Sequence, residues 1–184
     1  MMATTHAFVG LALASAYAAL GGDHPTAAAL GALAGGVFPD LDLVFEHRKT
    51  LHFPEYYAVL GVVAVGWASV AGGAAAIGVA AFFVSAAVHA ASDVLGGGLE
   101  ARPWLATSDR GVFLHTRDAW APPRRYVRYD GAPEDFVVGL AFALPAWLVF
   151  EGWVRAVLVV GVAVSGVYVL VRKRLPALEE RYLQ

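Results

Sequence analysis

At 184 residues, 59% hydrophobic and only 15% charged, the chain has too little polar sequence to coat a water-soluble core of its own. A formal net charge of -2 and basic residues scattered between apolar runs argue against a nucleic-acid partner. The absence of cysteine excludes disulfides and thiolate metal sites, so any metal must be held by histidine and carboxylate.

Six apolar runs follow one another: Ala3 to Leu20, Pro25 to Phe38, Tyr56 to Ala71, Ala74 to Leu95, Phe136 to Phe150 and Trp153 to Val171. They predict an all-α, multi-pass transmembrane bundle of about six helices, forming one membrane domain over 1–184, with a polar cytoplasmic insert over 96–135 after helix 4. The second, third and fifth runs are short for a crossing of about 30 Å of hydrocarbon. With both termini in the cytoplasm, every Lys and Arg except Arg155 falls on the inner side, as the positive-inside rule expects of an inner-membrane protein. Tyr56, Tyr57, Trp147 and Trp153 lie near predicted helix ends and suit an aromatic belt. The leading segment carries no Lys or Arg, so the first run reads as a retained helix.

In chain order, Thr5 is the expected N-cap of helix 1, which places His6 at its mouth. Gly21 and Gly22 end that helix, and His24 beyond them reads as an inert surface residue on the far side. Helix 2 carries Gly31, Gly35 and Gly36, a flank for close helix approach, and Pro39 stops it. The loop that follows concentrates Asp40, Asp42, Glu46, His47 and His52 within fourteen residues; Asp40 and Asp42 in an extended turn would point the same way. After helix 3 and a Gly72-Gly73 turn, helix 4 ends with His89 and Asp93 at i and i+4, on one face. Seven groups, His6, Asp40, Asp42, His47, His52, His89 and Asp93, thus arrive at one side of the membrane from three separate parts of the chain, which points to a metal site.

The insert offers Val112 to Leu114 and Tyr126 to Tyr129, either side of Pro122-Pro123, as a hairpin or an irregular cap. Trp104 and Trp120 are candidates to dip into the interface, and His115, with Asp109 and Asp118, is within chain reach of the site but reads first as solvated surface. Helices 5 and 6 complete the bundle, anchored by Arg172, Lys173 and Arg174.

An N-terminal His, Pro-Asp-x-Asp, His-Arg-x-x-x-His and a later His-x-x-x-Asp occur here as His6, Pro39 to Asp42, His47 to His52 and His89 to Asp93. In that order they resemble the YdjM-like family of membrane-bound metal-dependent hydrolases, over about the first 100 residues. The resemblance implies a multi-pass inner-membrane protein with a divalent-metal site; it implies no substrate. Leu43 stands where family members often carry His, and Lys49-Thr50-Leu51 where they carry Gly-x-Thr. The His-x-x-x-Asp element is also similar to ligand pairs in zinc-dependent phospholipase C enzymes.

Sulfur-free ligands suit zinc first, with manganese or iron as alternatives, and seven groups are enough for one or two ions. The expected chemistry is hydrolysis, with Asp42 or Asp93 as proton acceptor and Arg48, beside Lys49, neutralising a phosphoryl oxygen of a lipid or lipid-linked phosphoester. The alternatives are a non-catalytic metal-binding membrane protein, sensor or transporter, and a membrane scaffold.

Overall fold

A computed structural model describes residues 1–182. The six apolar runs form six helices: α1 (Ala3–Ala19), α2 (Pro25–Val37), α3 (Pro54–Ala71), α4 (Gly73–Ser92), α5 (Pro133–Val149) and α6 (Trp153–Val171). A short α7 (Leu175–Tyr182) follows. Pro sits in the first turn of α2, α3 and α5, where a missing N–H costs no helical bond. Gly72 and Gly73 both adopt positive φ, +62° and +79°, and reverse the chain between α3 and α4.

Among the described residues, four segments are long and apolar enough to cross a membrane: Pro25–Val44, Pro54–Ala71, Gly73–Leu95 and Trp153–Leu178. The first gains its length from a 3-10 helix, Phe38–Val44, that continues α2. α1 and α5, at 17 residues each, fall just short. Large apolar side chains, such as Val62 and Val70 on α3 and Val160 and Leu170 on α6, face outward, as hydrocarbon surroundings require.

α2 lies at the centre, against α1 and α4; α3 packs on α4, and α5 on α1. The glycine flank expected of α2 is what allows this. A Cβ at Gly31 would collide with the Gly78 carbonyl, and one at Gly35 with that of Phe82, so α2 and α4 meet backbone to backbone. The main core joins Phe8, Leu11, Ala29, Ala32, Ala146 and Leu158, with alanines filling the space between close helices.

Several local expectations are corrected. Met2, not Thr5, is the N-cap of α1; the Thr5 hydroxyl donates instead to Asp135 Oδ1 (2.8 Å), and the same carboxylate accepts the backbone N–H of Met2 and of Gly131. A buried anion from α5 thus serves the opening turn of α1. Tyr57 is buried and donates to the Leu51 carbonyl (2.8 Å), so it is no belt residue, whereas Tyr56, Trp147 and Trp153 are exposed. In the insert, β1 (Val112–Leu114) pairs antiparallel with β2 (Ala119–Ala121), so the hairpin closes before Pro122 and Tyr126 to Tyr129 is no strand. Trp104 packs edge-on to Tyr129 under Arg172 and Lys173, and Trp120 packs on Phe113 beneath Arg110.

Candidate metal centre

Three chain segments build the centre. The 3-10 helix after α2 carries Asp40 and Asp42. Three residues per turn put positions two apart about 120° around the axis, so the two carboxylates diverge, where an extended turn would have aligned them. Asp40 turns toward His89 (Oδ1 to Nε2, 3.3 Å), and Asp42 toward His47 and His52. The end of α4 supplies His89, and Asp93 one turn later opens a short 3-10 turn, Asp93–Leu95. The first turns of α1 bring His6.

Imidazole bookkeeping defines the inner set. His89 Nδ1 lies 2.7 Å from the Gly36 carbonyl, which only accepts, so Nδ1 holds the proton. That leaves Nε2 without a hydrogen-bond partner, fully buried, facing Asp40 Oδ1 at 3.3 Å and Asp93 Oδ2 at 3.6 Å. His52 stands between two carboxylates: Nδ1 is 2.9 Å from Asp42 Oδ2, and Nε2 is 3.0 Å from Asp93 Oδ2 and 3.8 Å from Asp40 Oδ1. A neutral imidazole has one N–H and cannot serve both. Donation from Nδ1 to Asp42 leaves the Nε2 lone pair turned toward Asp93 and Asp40. Asp40, His52, His89 and Asp93 therefore offer two imidazole nitrogens and two carboxylate oxygens, all within 4.8 Å of one another and all buried. Lone pairs gathered this way in low dielectric need a cation or protons between them. The set fits a divalent ion with nitrogen and oxygen ligands.

The other expected ligands stand one step back. Asp42 accepts from His47 Nδ1 (2.7 Å), His52 Nδ1 and the Leu51 N–H (3.2 Å); both oxygens are taken, and it lies outside the adjoining cavity. That is the position of a carboxylate that orients a ligating histidine. Asp42, His47 and His52 form a second group close enough to share an ion, but in it Asp42 is already the acceptor for both imidazoles. His6 Nε2 donates to the outer oxygen of Asp93 (Oδ1, 3.0 Å), beside the Met1 amino group (3.1 Å), and its ring stacks on His89 at 3.7 Å. Glu46 is exposed and pairs with Lys49 (2.8 Å), away from the cluster.

Arg48 is buried at positive φ (60°) and is wrapped by the insert. Its Nη1 donates to the carbonyls of Gly97 (2.6 Å) and Gly111 (3.2 Å), while Nε, without a hydrogen-bond partner, lies 3.7 Å from Asp93 Oδ2. His115, read from sequence as surface, bridges the Lys49 and His52 carbonyls through Nε2 (both 3.0 Å) and so pins the loop behind the ligand. Sequence offered no signal for this, because the contact depends on the path of the hairpin. His24 stays remote as the N-cap of α2.

A cavity of about 420 Å³ opens beside the cluster, lined by Asp40, His47 and Arg48, by Gly98 to Glu100 and Asp130 of the insert, and by α6 from Val164 to Arg172. Of the cluster's carboxylates, Asp40, not Asp42 or Asp93, reaches it, opposite Glu100 and Asp130 of the insert. No protein-family model, curated protein or solved structure matches this chain.

Proposed function

We propose that the chain is a membrane-embedded, metal-dependent hydrolase of the YdjM-like kind, with its centre at the cytoplasmic face and a phosphoester of a lipid or lipid-linked molecule as substrate. In this reading all six helices cross the inner membrane and both termini lie in the cytoplasm. One observation carries it: the unpartnered Nε2 of His89, aimed with His52 Nε2 at two buried carboxylates beside a ligand-sized cavity.

Asp40, His52, His89 and Asp93 would hold the ion, zinc by ligand type, with manganese or iron next. A divalent ion held there would supply Lewis acidity and make water a stronger acid. The protein's groups do the rest. Asp42 and the Gly36 carbonyl hold the two imidazoles with their protons on Nδ1. Arg48 places a positive charge beside Asp93 at the cavity wall. Asp40, the cluster's carboxylate on the cavity, accepts the proton released by the attacking water. A cluster at helix ends suits surface chemistry better than transport, which places its ligands near the bilayer midplane.

The test is the metal content of detergent-purified protein, wild type against a His89→Ala, Asp93→Ala variant with unchanged helix content. Near one ion per chain in wild type, lost in the variant, is expected. A wild type that stays metal-poor after reloading with zinc, manganese and iron overturns the reading.

A further inference from the structure

Asp40 and Arg48 at the inner wall of the cavity are buried, whereas Leu43 and Val164, which also line it, are 69% and 54% exposed. The exposed part of its lining runs from the 3-10 helix after α2, past Ala3 at the start of α1, to the side of α6. Val164 stands eight residues before Arg172, which at about 1.5 Å per residue sets it about 12 Å along the helix from the Arg172 to Arg174 cluster. Such a basic group sits in the headgroup region, so this part of the lining opens toward acyl chains. Val160 and Val167 continue the same exposed stripe, and Leu41, Val44 and Phe45 extend an apolar rim from Leu43 past the ligands.

The polar end of the cavity selects charge. Arg172 is held by Asp130 (2.8 and 3.0 Å), and Glu100 accepts the N–H groups of Thr107 and Ser108 through Oε1, its Oε2 being buried without a hydrogen-bond partner. The Arg48 Nε is the buried donor left without a hydrogen bond there, beside the cluster. About 420 Å³ is near the low end of ligand cavities, roughly 300–1,000 Å³, room for a headgroup but not for long acyl chains.

Resting on the hydrolase reading above, we propose that the substrate is a phosphate-bearing membrane lipid that enters sideways from the bilayer. It slides between Leu43 and Val164, with its phosphate at Asp40 and Arg48 and its chains left in the membrane. Hydrolysis needs water alone: a P–O bond to the leaving alcohol breaks, the water oxygen joins phosphorus, and the alcohol takes a proton.

The test reads which phosphate comes close to the ion, not the release of product. Protein reconstituted in phosphatidylcholine vesicles containing dioleoylphosphatidate is loaded with one equivalent of Mn2+, and 31P relaxation is recorded against the His89→Ala, Asp93→Ala protein as baseline. A parallel sample replaces phosphatidate with glycerol 3-phosphate in the aqueous phase. Selective relaxation of phosphatidate is expected. It is lost in Val164→Trp and in Leu43→Trp, and kept in Val160→Trp, which faces lipid outside the cavity; Mn2+ stoichiometry is the same in all three. Equal relaxation of glycerol 3-phosphate, or no effect of either blocking variant, overturns lateral entry while leaving the metal centre standing. A wild type that binds no Mn2+, zinc or iron removes the metal centre and the entry route together.

Discussion

Asp42→Asn isolates the hydrogen-bonding role assigned to a carboxylate that the motif alone presents as a ligand or base. Asp42 receives His47 Nδ1, His52 Nδ1 and the Leu51 N–H at 2.7, 2.9 and 3.2 Å. Asparagine keeps the shape but brings an NH2 group, and one histidine must then meet a donor. If His52 adjusts, its proton moves to Nε2, the atom turned toward Asp93 at 3.0 Å and needed for the ion. Loss of such an orienting partner costs about 10- to 100-fold in metal affinity, or about 1.4–2.7 kcal/mol. His47→Ala, which leaves the His52 to Asp42 bond in place, should change affinity little. Competition against a chromophoric chelator in detergent, with circular dichroism to verify helix content, measures both. Wild-type affinity in Asp42→Asn would refute the orienting role. A loss as deep as that of Asp93→Ala would make Asp42 a ligand in its own right.

Two further outcomes follow from the same geometry. Burial disfavours a charged His52, but hydrogen bonds to Asp42 and Asp93 outweigh it and raise its pKa above 6.5. Metal uptake must displace that proton, so affinity should fall by at least about tenfold per pH unit below the raised value, read by competition titrations. The metal-free protein should show the opposite trend. A raised folded pKa adds stability that is fully present below the unfolded value and is lost as pH rises through the folded one, so the melting midpoint of chelated protein should drop with increasing pH. His115→Ala removes the donor shared by the Lys49 and His52 carbonyls. It should cost about 1–3 kcal/mol and speed limited proteolysis within residues 46–50, with a smaller loss of metal affinity than Asp42→Asn.

The helices were legible because their signals are local. Apolar runs, proline at the start of α2 and the paired glycines between α3 and α4 act within a few residues, and the structure's helix ends lie close to them. Convergence of His6, the Asp40 to His52 loop and the His89 and Asp93 pair was legible too, since alternating helices bring these ends together. The division of labour within the cluster was not. It depends on the 3-10 path that splays Asp40 from Asp42, and on a Gly36 carbonyl reaching His89 only because Gly31 and Gly35 let α4 approach. The sequence named Arg48 for the site and put His115 within reach of it, but not their partners, for a related reason: these are backbone carbonyls, at Gly97 and Gly111 and at Lys49 and His52, and a carbonyl carries no residue-type signal.

The wide separation of the ligands along the chain also orders events during synthesis. His52 and Asp93 are 41 residues apart, about 2–8 s of elongation at about 5–20 residues per second. Until α4 has been delivered, the loop bearing Asp40, Asp42 and His52 carries carboxylates and imidazoles with no matching half. The insert that grips Arg48 through Gly97 and Gly111 emerges later still. On the proposed reading, metal capture is a late step of biogenesis, one that a nascent chain stalled before Asp93 cannot complete and that would report the assembly of the first four helices.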